Sequence, residues 1–108
     1  MIYELRIYTV LPGRMTALKT RFRDHTRRVF EKHGITSIGY WTNVIGGRSD
    51  QLTYLVAYPD LAAREVAWAN FAADPEWHEI AAASEADGLI VHRIENRILA
   101  PTDFSPLG

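Results

Sequence analysis

With 108 residues, 47% of them hydrophobic, the chain has the size of one domain that can bury a core without metal or disulfide staples. Twelve Lys and Arg against thirteen Asp and Glu leave a formal charge of −1, so there is no field to recruit nucleic acid or an anionic membrane. The absence of cysteine excludes disulfides, thiolate nucleophiles, iron–sulfur clusters and thiolate zinc sites.

The N-terminus, MIYELRIYTV, lacks a basic segment followed by an apolar one, and nowhere does the chain approach the roughly 18 apolar residues that span a bilayer. The expectation is an intracellular, cytoplasmic protein. Residues 2 to 10 alternate and are rich in Ile, Tyr, Thr and Val, which predicts a strand ended by Pro12-Gly13. From 14 to 33, Met15, Leu18, Phe22, Val29 and His33 recur at three- and four-residue steps, the spacing of one helical face. Asp24 precedes Arg28, and Arg27 precedes Glu31, by four, so two ion pairs are expected along the solvated side. Gly34 supplies the helix stop.

A second strand is predicted from about Ile35 to Val44, followed by turn residues Gly46-Gly47 and Ser49-Asp50, and a third from Leu52 to Tyr58. Asp60 is a candidate N-cap for a helix with Leu61, Trp68, Phe71 and Ala72 on one face, a stripe into which Arg64 and Glu65 intrude. Asp74-Pro75 starts a further helical piece carrying Trp77, Ile80, Ala81 and Ser84, ended by Gly88. A last strand, Leu89 to Leu99, alternates Ile90, Ile94 and Ile98 with Val91, Arg93, Glu95 and Arg97. The fold class is therefore α+β, a ferredoxin-like split βαβ (βαββαβ) with a four-stranded antiparallel sheet covered by helices on one side.

Alternation along strand one separates Leu5 and Ile7 from Glu4, Arg6 and Tyr8. Placing the aliphatic set under the helices, with Leu18, Phe22 and Ile94, puts the polar set on the helix-free face. There Glu4 and Arg6 would meet Arg93, Glu95 and Arg97 in a cross-strand charge ladder. Tyr8, Tyr40 or Trp41, and Tyr54 or Tyr58 would join them, the alternation leaving open which of each pair shares that face. Such a face on a monomer invites a partner, so a homodimer is expected, with Phe104 and Leu107 of the tail lying over the second copy or sealing one end.

The segments YELRIYTVLPG (3 to 13), GYWT (39 to 42), ADPEW (73 to 77), ENRIL (95 to 99) and FSPL (104 to 107) resemble, in matching order, those of the NIPSNAP family. The resemblance covers residues 1 to 108 as a single domain. It implies the dimeric α/β barrel, in which two ferredoxin-like sheets face each other around a cavity. It brings no catalytic motif. Relatives in that superfamily include cofactor-free monooxygenases, haem-handling enzymes and small isomerases, so fold analogy alone does not select a reaction.

No GxSxG, P-loop, HExxH or GxGxxG motif occurs, and His25, His33, His78 and His92 have no metal-ligand spacing, so neither a metal nor a cofactor is expected. His25 and His33 read as packing and helix-dipole residues, His78 as solvent-facing, and Trp68 and Trp77 as packing anchors. His92, between Ile90 and Ile94, is expected to be buried, where its imidazole needs a hydrogen-bond partner or a ligand. Candidate ligand-binding residues are Glu4, Arg6, Tyr8, Tyr40, Trp41, Tyr54, His92, Arg93 and Glu95. Three readings stand, in this order: a dimeric domain that binds a small aromatic or acyl ligand between its sheets; a cofactor-free monooxygenase or isomerase using Glu4 or a histidine as base; and a dimeric interaction module whose open face is filled by its partner.

Overall fold

The computed structural model describes residues Met1–Gly108. Strand β1 (Ile2–Val10) ends at a turn in which Gly13 takes φ 77°, a left-handed conformation that a side chain would oppose. The first helix is built as α1 (Met15–Arg21), a π turn (Phe22–Thr26) and α2 (Arg27–Lys32), with helical backbone angles at both joints. In the π turn the Arg27 N–H reaches back five residues to the Phe22 carbonyl, and Thr26 Oγ1 donates to the Arg21 carbonyl at 3.2 Å. This local change defeats the expected ion pairs. The Arg27 guanidinium turns back to the carbonyls of Phe22 (3.4 Å) and Arg23 (3.1 Å), and Arg28 pairs with Glu76 on another helix. Gly34, at φ 81°, stops the helix as expected, with Ile35 N donating to the Phe30 carbonyl at 3.0 Å.

The chain continues through β2 (Thr36–Thr42), β3 (Gln51–Tyr58), α3 (Leu61–Ala73), α4 (Pro75–Ser84) and β4 (Val91–Leu99). Both predicted caps form: Asp60 accepts from Ala63 N at 2.8 Å, and Asp74 accepts from Glu76 N at 2.9 Å ahead of Pro75. The strands lie in the order β2-β3-β1-β4 with every neighbour antiparallel, which is the split βαβ plan.

Which face the helices cover is the reverse of the expectation. The core joins Tyr8 and Val10 of β1 and Leu52, Tyr54, Val56 and Tyr58 of β3 to Leu18, Phe22, Val29, Phe30, Ala67 and Phe71 from the helices. Its centre is aromatic: Phe22 lies within 5.6 Å of the rings of Tyr8, Tyr40 and Tyr54, and Phe30 packs on Phe71 at 5.1 Å and edge-on to Trp68 at 5.4 Å. Trp68 and Trp77 pack against this cluster, as their helical spacing predicts. Glu4 and Arg6 therefore lie under the helices, whereas Leu5 and Ile7 point to the open face beside Glu95 and Arg97. Ile94, opposite Tyr8 on the edge strand, remains 45% exposed and is no part of the core. Alternation sorts residues into two sets but does not say which set is covered, and here the polar set is covered because donors from other elements satisfy it.

Two bulges complete the placement. In β4 the register steps from Thr9↔Arg93 to Val10↔Val91, leaving His92 as the extra residue, and it is exposed. In β2 it steps from Ser37↔Val56 to Gly39↔Leu55, leaving Ile38 unpaired and setting Tyr40 opposite Tyr54 and Trp41 opposite Thr53. Tyr40 thus stacks on Tyr54 at 5.2 Å beneath the helices, and the Trp41 ring lies along the open face over Gly39. There is no room beside it for a side chain at position 39: a Cβ there would meet the indole at 2.6 Å.

Candidate functional site

The nine candidate residues fall into three groups. Glu4, Arg6, Tyr8 and Tyr54 form one buried network. The Glu4 carboxylate is fully enclosed and accepts five hydrogen bonds. Tyr58 Oη (2.8 Å) and Arg64 Nε (2.9 Å) donate to Oε1, while Arg6 Nη1 (3.0 Å), Arg64 Nη2 (3.1 Å) and Asn96 Nδ2 (2.9 Å) donate to Oε2. Burial alone would raise its pKa, but the hydrogen bonds from Arg64, Asn96 and Tyr58 and the charge of Arg6 outweigh burial and hold it at about 2. A carboxylate so held is a poor general base, and the expected ladder with Arg93, Glu95 and Arg97 does not form because those residues occupy the opposite face.

Arg6 stacks over Trp68, with its guanidinium carbon 4.6 Å from the ring centroid, and donates from Nε to Tyr54 Oη at 2.7 Å. Tyr54 Oη donates in turn to Tyr8 Oη at 3.1 Å, and Trp68 Nε1 donates to Tyr58 Oη at 2.6 Å. Burial pushes the Tyr54 and Tyr58 hydroxyls up, so both stay protonated donors. The whole set reads as a rigid polar centre that ties β1, β3, β4 and α3 together. Sequence reasoning missed Arg64, Asn96 and Trp68 as its other members, and of Tyr54 or Tyr58, offered as alternatives, both join it. Arg64 left a signal, since it breaks the apolar stripe of α3, and the reason is now plain: its fork clamps a buried carboxylate.

The second group, Arg93 and Glu95 with His92, is exposed on β4. Arg93 and Glu95 approach to only 3.8 Å, and His92 has neither the burial nor the partner expected of it. The other histidines are accounted for locally. His33 Nε2 meets Asp74 Oδ2 at 2.7 Å, His78 Nε2 meets the Ala72 carbonyl at 2.6 Å, and exposed His25 meets Arg28 at 3.2 Å. Asp74, which Lys32 also contacts at 2.8 Å, is held well below the usual carboxylate range by those two partners and by its cap to Glu76. No three His, Asp or Glu side chains gather in a way that could hold a metal ion.

The third group, Tyr40 and Trp41, borders a cleft of about 360 Å³ between the first helix and β2, floored by Phe22 and Leu52. Its rim carries Lys19, Arg23 and Arg27, of which the sequence singled out only Arg27, as a partner for Glu31 on the solvated side. A larger groove of about 500 Å³ runs between α1 and α4, but its walls mix Arg21 and His25 with Glu79 and Asp87. On the helix-free face a smaller groove, about 270 Å³, lies between Leu5, Ile7, Glu95, Asn96 and Arg97. No helix is long and apolar enough to cross a membrane.

Known proteins share this architecture. The NIPSNAP family model matches residues 3–106. Mouse protein NipSnap homolog 3B is 30% identical over 79 residues, covering 71% of this chain but 30% of its own length. This chain spans about a third of the length of the curated relatives it matches. Among solved structures, a NIPSNAP family protein from Agrobacterium tumefaciens is 31% identical, superposes with a TM-score of 0.87, and is matched over 98% of its chain and 99% of this one. A protein from Nitrosomonas europaea assigned as an antibiotic biosynthesis monooxygenase shares the fold alone, at 12% identity and a TM-score of 0.63 over 94% of this chain and 98% of its own. With its sequence segments, its sheet order and a family match across nearly its whole length in agreement, the chain belongs to the NIPSNAP family.

Proposed function

We propose that the domain works as a homodimer whose helix-free sheet faces pack together, and that this dimer binds a small molecule between its sheets. The observation that carries the reading is the composition of the open face. Leu5, Ile7 and Leu55 project from the two central strands, Trp41 and Leu99 flank them at 52% and 41% exposure, and the charges of Arg93, Glu95 and Arg97 are confined to the β4 edge. An apolar centre with a charged margin is the anatomy of a protein interface. The tail supports it: the Tyr3 hydroxyl donates to the Leu107 carbonyl, anchoring the terminal segment across one end of β1 while Phe104 stays 83% exposed and free to reach a second copy.

A facing sheet would roof the groove between Leu5, Ile7, Glu95, Asn96 and Arg97 and turn it into an enclosed space, with polar groups at one side to orient a small ligand. Of the bases that an enzyme reading would use, Glu4 is occupied in the polar centre and no histidine lines the groove, so binding is favoured over catalysis. Sedimentation at micromolar concentration should give twice the 12.3 kDa of the chain. Ile7→Lys should give a folded species of single mass, because a buried lysine opposes association but is solvated in the monomer. A wild-type protein that sediments as a monomer would remove the dimer. Native mass spectra of freshly purified dimer with no added small-molecule mass would remove the ligand.

A further inference from the structure

The twelve Lys and Arg side chains divide unevenly. Eight hold carboxylate partners, and four do not: Lys19, Arg23, Arg27 and Arg97. Three of those four stand together on the rim of the cleft between the first helix and β2, at steps of four residues along the helix. Glu31, four residues after Arg27, and Asp24, spaced towards Arg28, form no ion pair with them, and no acidic side chain lines the cleft. In a chain of net charge −1 that pairs its cations almost everywhere else, this concentration of unpaired positive charge is conspicuous.

Below the rim the cleft is apolar and aromatic. Phe22 and Leu52 are buried at its base, and Tyr40 forms one wall, held by its stack on Tyr54 and by the 2.8 Å bond between its hydroxyl and Ser37 Oγ. A concavity of one charge sign over low-dielectric walls focuses its field on whatever enters. From this geometry we infer that the cleft is a binding site for a small amphiphilic anion: a flat aromatic or short acyl body seated on Phe22, Tyr40 and Leu52, and a carboxylate, sulfonate or phosphate held by Arg23, Arg27 and Lys19. About 360 Å³ suits a body of one or two rings. The site opens between the first helix and β2 and draws its cations from the helix, so it exists in the monomer; of its lining, Trp41 alone also borders the proposed interface between paired sheets.

The test uses two fluorescent probes of nearly one shape. 8-Anilinonaphthalene-1-sulfonate carries the anion; N-phenyl-1-naphthylamine lacks it. Titration of the full chain should show the sulfonate binding more tightly than the amine, with the preference falling as salt is raised. Arg23→Gln combined with Arg27→Gln should weaken the sulfonate roughly tenfold or more, since two cations are lost; Arg27→Gln also gives up its bonds to the Phe22 and Arg23 carbonyls, and unchanged binding of the amine reports that the apolar floor is kept. Arg28→Gln removes one positive charge from the same helix, as Lys19→Gln does, but from a pair with Glu76, and should change neither probe. Lys19→Gln, whose side chain makes no hydrogen bond in the fold, provides a variant with no structural role and should weaken the sulfonate severalfold. The inference is overturned if the sulfonate and the amine bind alike, or if Arg28→Gln weakens the sulfonate as much as the cleft variants do.

Discussion

Glu4 offers a decisive test of the polar centre, because it can be discharged in two ways. In the native protein its pKa lies at about 2, against an ordinary 4.5, so the folded state releases a proton that the unfolded chain would still hold between these values. The stabilisation is therefore present in full above about pH 5 and is lost as the pH falls through about 2; integrated, it amounts to about 3 kcal/mol. Glu4→Gln removes the same charge at neutral pH and leaves Arg6 and Arg64 without their anion in a buried setting, so it should cost about 3 kcal/mol or more at pH 7. Urea unfolding of both proteins, at one fixed protein concentration because association adds to stability, should be run at pH 7, 4 and 2.5. The difference between them should be large at pH 7 and shrink towards zero as wild-type Glu4 takes up its proton, while the other carboxylates cancel in the comparison. A difference below about 1 kcal/mol at pH 7, the range of an exposed ion pair, or one that does not change with pH, would refute the reading of Glu4 as the charged keystone of the centre.

The remaining expectations concern packing and capping. Leu18→Ala, at a side chain with no exposure, should lower stability by roughly 2 to 5 kcal/mol in the same urea assay, whereas the open-face change Ile7→Lys should alter association far more than the stability of the monomer. Asp60→Ala removes the bond to Ala63 N that starts α3 and should cost about 1 kcal/mol, read as a lower midpoint with an unchanged slope.

Much of this architecture can be read from local chemistry. Gly34 needs a left-handed φ, Asp74-Pro75 is both a cap and a start, and the alternation in residues 2 to 10 admits only a strand, so the element order and the split βαβ plan follow from residues a few positions apart. The same rules sorted Glu4, Arg6 and Tyr8 from Leu5 and Ile7 but were silent on which set the helices cover. Hydrophobicity alone favoured the aliphatic set. The tertiary structure decided otherwise because donors to Glu4 arrive from Arg64 and Asn96, 60 and 92 residues away, and five hydrogen bonds make burial of that carboxylate tolerable. Bulges at Ile38 and His92 each shift the alternation by one residue, which leaves His92 exposed and turns Tyr40 rather than Trp41 towards the helices. The cationic rim of the cleft was equally hidden. Lys19, Arg23 and Arg27 recur on one helical stripe in the sequence, but whether neighbouring acids neutralise them depends on where the π turn points each side chain and on which residues of β2 rise beside it, and only the folded chain determines that.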